Sequence, residues 1–253
     1  MSRRETHEVG PHASLEIDVR TSAVEVRASV DERIQVDITG GTPDAWEIHV
    51  AGTRVSLREP TRAASRRARL YVEVPVGTDV EVRSTTGDVD LGGILGEVRV
   101  RSASGSVRAD TVAGFEAHTA TGDLRLGTCA DEADATTVSG DVAIGTVGGR
   151  LQVSTASGDV RLDVVGDSAR VGTTSGDVRL NRFDGADLSV KSVSGDISLG
   201  LPGGIRVEPD ISTLSGRTRL PPPATTLAPP GGRRVVRVRL QSVSGDITIE
   251  RAD

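Results

Sequence analysis

One cysteine, one methionine, one tryptophan, one tyrosine and two phenylalanines are all the sulfur-bearing and aromatic side chains that 253 residues contain. A lone Cys129 excludes an internal disulfide. Nothing in Gly127-Thr128-Cys129-Ala130 supplies a base, so it reads as a small packed residue and not a nucleophile. With aromatics at 2%, a globular core filled by large rings is excluded; any core is thin and built from β-branched side chains in regular rows. No stretch approaches the roughly 18 apolar residues of a membrane span, and Met1-Ser2-Arg3-Arg4-Glu5-Thr6-His7 has no apolar segment behind its arginines. As written, the chain is expected to lack a signal and to stay in the cytoplasm. A basic block is missing too: the net charge is −6 and the arginines alternate with acids, which excludes a nucleic-acid footprint. The four histidines, His7, His12, His49 and His118, lie far apart without metal-ligand spacing. No nucleophile, base and acid converge outside the repeat described next, so the chain is expected to be no enzyme and to need no cofactor.

What the sequence has in quantity is glycine, 30 residues of it, much of it in register. Thr86-Gly87-Asp88-Val89 returns as Ser104-Gly105-Ser106, Thr121-Gly122-Asp123, Ser139-Gly140-Asp141, Ser157-Gly158-Asp159, Ser175-Gly176-Asp177, Ser194-Gly195-Asp196, Ser215-Gly216-Arg217 and Ser244-Gly245-Asp246. Successive glycines stand 18, 17, 18, 18, 18, 19, 21 and 29 residues apart. A fixed period of this size means stacked supersecondary units. One unit holds a strand such as Glu97–Ser104, a turn at Gly105-Ser106, a short strand Val107–Ala109 and a return. The expected fold is therefore an all-β, single-stranded parallel β-solenoid with about 18 residues and two short strands per coil, neighbouring coils about 4.8 Å apart.

Around the regular coils of residues 84–200 the pattern loosens. Residues 1–13 are polar and without period, and read as a flexible arm. Residues 14–83 alternate as strands (Leu15, Ile17, Val19; Ile34, Val36, Ile38) and read as irregular first coils. Residues 58–68 form an Arg-rich loop, with an anionic contact site as its sharper reading. Residues 201–253 read as final coils interrupted by a Pro-rich loop, 221–232, with Ser244-Gly245-Asp246 closing the stack.

Strand parity puts Val98, Val100, Ser102 and Ser104 on one face, as it does Leu151, Val153, Thr155 and Ser157. Two aliphatics followed by two hydroxyls then face inward, and the hydroxyls are expected to form hydrogen-bonded ladders between coils. The aspartates after the glycines line one edge, where neighbours repel by roughly 0.9 kcal/mol in bulk water. Each carboxylate is expected to accept turn amides of its own coil and to lean on arginines such as Arg161 and Arg179. A cation ladder along Asp123, Asp141, Asp159, Asp177 and Asp196 is the competing reading.

The Val72-Glu73-Val74-Pro75-Val76-Gly77 segment, the repeated teeth and the closing Gln241-Ser242-Val243-Ser244-Gly245-Asp246-Ile247 resemble the "putative adhesin" family of bacterial β-strand-repeat proteins of unknown function, the toast-rack domain, over roughly residues 13–250. The resemblance implies no catalytic residues. With the solenoid's extended surface it points to a non-catalytic scaffold of that type that binds a protein or a cell-envelope component; the open ends of the stack leave a monomer or end-stacking, and the residues themselves leave an ion- or glycan-binding module on the aspartate edge as the alternative, with a polysaccharide-active enzyme behind both.

Overall fold

Aliphatic residues at alternate positions make strands, and a glycine at each tooth makes a corner. The computed structural model of the chain, which describes residues 2–10, 12–60, 68–220 and 234–252, winds that pattern into a parallel β-solenoid. Helix is confined, among the described residues, to one 3-10 turn, Pro43–Ala45. The chain divides into two compact units, Met1–Ala130 and Asp131–Asp253. That boundary falls inside the regular coils of residues 84–200, where the unbroken period gives no sign of it.

The first unit contains β1 (Ser2–Glu8), β2 (Ser14–Val19), β3 (Ala23–Ser29), β4 (Arg33–Thr39), β5 (Glu47–Ala51), β6 (Arg54–Arg58), β7 (Arg69–Pro75), β8 (Asp79–Ser84), β9 (Val89–Ser104), β10 (Val107–Thr121) and β11 (Leu124–Cys129). One wall stacks β6, β2, β8 and the second halves of β9 and β10, all parallel. The other stacks β7, β3, the first halves of β9 and β10, and β11. The earliest coil, β2–β3, thus lies one layer inside β6–β7. Residues 2–8 correct the expected arm: they form β1, antiparallel to β4 with Ser2 opposite Thr39, and β4 lies antiparallel on β7. β1 has no apolar alternation because it is a charged outer strand, a composition that discourages further strand addition. Cross-strand contacts hold it instead: Arg4 Nε donates to Asp37 at 2.8 Å and Arg3 Nη1 to the carbonyl of the buried Trp46 at 3.0 Å.

The second unit contains β12 (Ala133–Ser139), β13 (Val142–Val147), β14 (Arg150–Ser157), β15 (Val160–Val165), β16 (Ser168–Ser175), β17 (Val178–Phe183), β18 (Asp187–Ser194), β19 (Ile197–Pro202), β20 (Arg206–Ser215), β21 (Thr218–Arg219), β22 (Val235–Ser244) and β23 (Ile247–Ala252). Its first wall runs β12, β14, β16, β18, β22, β20 and its second β13, β15, β17, β19, β23, β21. The coil carrying Ser244-Gly245-Asp246 does not close the stack. It is inserted between the coil of Ser194-Gly195-Asp196 and that of Ser215-Gly216-Arg217, which forms the outermost layer. Sequence order alone suggested the reverse. Pro209 held the missed signal: it stands in the ladder position of Val238 and Leu188, and proline within a sheet belongs on an edge strand. The Pro-rich loop 221–232 and residues 61–67 of the Arg-rich loop lie outside the described residues.

Inside the second unit like stacks on like. Leu151, Ala169, Leu188 and Val238 form one buried column; Val153, Val171, Val190 and Leu240 form the next. Val160, Leu162, Val178 and Leu180 supply the facing wall, all buried. The expected pair of inward hydroxyls is half right. Thr155, Thr173, Ser192 and Ser242 are buried, but Ser157, Ser175, Ser194 and Ser244 are exposed, because the chain already turns its corner there. The hydroxyl ladder does not form either: the oxygens of Thr137, Thr155, Thr173, Ser192 and Ser242 have no hydrogen-bond partner. A buried hydroxyl without a partner costs free energy that an isosteric methyl does not. Thr155→Val is therefore expected to stabilise the chain by about 1 kcal/mol and raise its melting temperature by about 2–4 °C, readable by calorimetry. A lower melting temperature would show that the hydroxyl does find a partner.

Candidate functional site

The teeth make one structural device and the outward face of the second unit makes another. At six of the teeth, those of Gly105, Gly140, Gly158, Gly176, Gly195 and Gly245, backbone bonds tie the corner to the next layer: Gly158 N donates to Ser175 O at 3.0 Å and Val160 N to Asp177 O at 2.8 Å. Seven of the nine turn glycines (Gly105, Gly122, Gly140, Gly158, Gly176, Gly195 and Gly245) have φ between 133° and 152°. Gly87 and Gly216 do not. They share the other constraint, close approach: a Cβ on Gly87 would lie 1.9 Å from Ser22 O, and one on Gly216 2.0 Å from Gly245 O.

The aspartates beside these glycines serve the same joint, though across coils and not within their own as expected. Asp159 N donates to Asp141 Oδ1 (3.0 Å), Asp177 N to Asp159 Oδ1 (3.0 Å), Asp196 N to Asp177 Oδ1 (2.8 Å), Asp246 N to Asp196 Oδ1 (2.7 Å) and Arg217 N to Asp246 Oδ1 (2.8 Å). In the first unit Ser106 N donates to Asp88 Oδ1 at 2.9 Å. Arg217 is thus no gap in the row. It sits in the outermost layer, where a carboxylate would have no further amide to receive. The like-charge repulsion along the edge is offset by these charge-assisted bonds, and by Arg161, whose guanidinium donates to Asp159 at 2.8 Å and Asp141 at 3.4 Å. Among the described residues no group of three or more His, Cys, Asp or Glu side chains is gathered as a metal site. Calcium in excess is accordingly expected to leave the melting temperature unchanged, whereas a rise of many degrees would restore the cation ladder.

The first unit performs the same task with a residue off the repeat. Glu59 is only 6% exposed and reaches from the outer layer to the β2–β3 corner. There it accepts from the amides of Arg20 and Thr21, the latter at 3.0 Å, and from Thr21 Oγ1 at 3.2 Å. Burial by itself pushes its carboxyl up, but those donors outweigh burial and hold it below the usual carboxylate range. A carboxyl depressed in the folded state contributes stability that is present above its unfolded pKa and lost as pH falls through the folded one. Glu59→Gln is therefore expected to cost about 1–3 kcal/mol at neutral pH. The gap in melting temperature between variant and parent should close on acidification below about pH 4; a gap independent of pH would rule out the charge as its source.

The second device is an open groove of about 860 Å³ on the outward side of β14, β16, β18, β22 and β20. Register aligns two outward columns there: Arg150, Ser168, Asp187, Arg237, Glu208, and Gln152, Arg170, Ser189, Arg239, Asp210. The short Ser168 lies between Arg150 and Asp187 and the short Ser189 between Arg170 and Arg239, which makes the surface concave. Arg239 Nε meets Asp210 at 2.9 Å and Arg237 Nη1 meets Asp187 at 3.5 Å. None of the four histidines, the cysteine or the tyrosine falls in residues 131–253, so the groove offers guanidinium, hydroxyl, amide and carboxylate groups alone. Alternation of arginines with acids gives no sign of the groove, because its columns join residues that stand 18, 19, 29 and 50 positions apart in the chain.

Fold and surface together define a class, the parallel β-solenoid with cross-coil carboxylate joints and an open polar wall. More narrowly, the chain belongs to the Toastrack DUF4097 family, whose model matches residues 12–250. Among solved structures it is similar to a "putative adhesin" from Parabacteroides distasonis, at 13% identity, over 98% of this chain and 97% of that one, with a TM-score of 0.55. A "putative lipid binding protein" from the same species (12% identity, 98% and 96% covered, TM-score 0.47) and a "putative adhesin" from Bacteroides fragilis (14%, 99% and 97%, 0.41) are more distant in shape. The first likeness supports the fold. No curated protein sequence matches the chain. Among the described residues no helix is long and apolar enough to cross a membrane.

Proposed function

We propose that the chain is a non-catalytic binding module that engages a cell-envelope component through the outward groove of β14, β16, β18, β22 and β20. The observation that carries this reading is the groove itself: five strands in fixed register offer a polar concave surface about 19 Å long at the usual strand spacing. Arg237 and Arg239 pair with Asp187 and Asp210 while Arg170 keeps no acidic partner among the described residues, an arrangement that suits recognition and supplies no poised acid–base couple. The family to which the chain belongs, and the adhesin name carried by the similar Parabacteroides structure, are in keeping with binding.

The test is co-sedimentation of the purified chain with isolated bacterial envelope, beside a variant that fills the groove, Ser168→Tyr with Ser189→Tyr. Both serines face outward on the wall, so the variant is expected to melt like the parent. Retention of the parent, loss of the variant and chemically unchanged envelope material would support the reading. Absence of retention, equal retention of the variant, or release of cleaved envelope fragments would overturn it.

A further inference from the structure

Resting on that reading of the groove, we infer that its ligand is an acidic glycan, and that a carboxylate of the glycan is seated over Gly172 between Arg170 and Lys191. Three observations converge there. First, Gly172 is a glycine that the fold does not need. It lies within β16, its φ is not positive, and a Cβ added to it would meet nothing within 4 Å. Tooth glycines of the same unit such as Gly158, Gly176 and Gly195, by contrast, face a carbonyl of the neighbouring coil. Glycine inside a strand weakens it, and where no bulge or corner explains it, it marks a place where something else approaches the backbone.

Second, the bare spot is flanked by positive charge. Gly172 stands beside Lys191 and Arg170 beside Ser189 in the β16–β18 register, so Arg170 and Lys191 sit diagonally across the vacancy, with Ser154 of β14 on its other side. Lys191 is the only lysine of the sequence. Both cations are exposed. The neighbouring Arg237 and Arg239 have acidic partners at 3.5 and 2.9 Å, whereas among the described residues Arg170 and Lys191 have none. A guanidinium fork and an ammonium around an open backbone patch match a carboxylate.

Third, the groove that starts at Arg170 is floored by hydroxyl, amide and guanidinium groups (Ser168, Ser189, Gln152, Arg150). These groups suit a polyol. The groove offers no exposed large apolar side chain to take an acyl tail or an apolar peptide anchor. It also has no aromatic ring on which a neutral sugar could stack, so charge and hydrogen bonds must hold the ligand.

The experiment is a calorimetric titration of the full chain with a short oligogalacturonate, with a neutral maltooligosaccharide of equal length, inorganic phosphate and anionic phospholipid vesicles as the other arms. Binding to the uronate alone is expected, weakened roughly tenfold or more by Arg170→Gln or Lys191→Gln. Gly172→Thr is the sharper probe. It fills open space with a strand-favouring residue, so the melting temperature should hold or rise while uronate binding disappears. Lys191 provides a second readout: bound oligouronate should protect its amine from acylation, with the α-amine as internal reference. Uronate binding unchanged in Gly172→Thr, equal binding of the neutral oligosaccharide, or binding of phosphate or vesicles instead would overturn the inference. Envelope retention without uronate binding would overturn this ligand assignment and leave the groove reading standing; absence of envelope retention would strike the reading itself.

Discussion

Gly158→Val is expected to unfold the second unit or to cost it about 4 kcal/mol or more, read as loss of the cooperative melting transition near neutral pH. Two effects add. The backbone at Gly158 has φ +144°, and a Cβ there would lie 2.1 Å from Gly140 O and 2.7 Å from its carbonyl carbon. The obstacle is main chain, which cannot rotate aside as a side chain would, and it takes part in the stacking that the glycine serves. The control is Gly172→Val, the same substitution one strand away at a position with open space, which should melt at or above the parent temperature. If both variants melt alike, the cost of the tooth does not come from the cross-coil approach.

Removal of residues 234–253 is expected to be more damaging than removal of a longer internal stretch. In a simple repeat array, loss of the last coil shortens the stack and exposes its neighbour. Here the deleted strands β22 and β23 carry five buried aliphatics, Val236, Val238, Leu240, Ile247 and Ile249, each stabilising by about 1.5–3 kcal/mol. They are also the pairing partners of β20 and β21, so the truncation detaches the outer layer along with the coil it removes. Replacing residues 205–233 by a flexible Gly-Ser linker takes off that outer layer alone, leaving β22 on β18 and β23 on β19. Hydrogen exchange should find the amides of 206–215 unprotected in the terminal truncation, and the β18 amides still protected in the internal one. Protection of 206–215 after terminal truncation would show that β20 can re-dock on β18.

How far the fold could be read from the sequence depended on whether a residue's role was local or positional. Val153 and Leu162 declare their burial by alternation alone, and Gly158 declares its corner by recurrence, so the solenoid and its period were legible. The role of Asp159 was legible as a turn carboxylate but not as a joint between layers. One strand's spacing does not say whether its own amide or the next coil's is nearer. Layer order at both ends was hidden for a related reason. The β2–β3 and β22–β23 coils have the same pattern as their neighbours, and like patterns stack in any order; only the departures, Pro209 and Arg217, record which layer is outermost. β1 was missed because hydrophobic pattern finds buried faces, whereas Ser2–Glu8 is held by backbone pairing and by Arg3 and Arg4. The groove was least legible of all: Ser168 and Asp187 stand 19 residues apart and become neighbours only through register.

The inserted coil also sets a timetable. A ribosome delivers β20 before β22, and when β20 emerges the strand it finds bare is β18, with the same serine and glycine at its corner. The berth is open and the wrong guest arrives first. Winding of the second unit therefore cannot follow the order of synthesis: β20 must wait, or dock and later yield its place, until β22 and β23 have emerged.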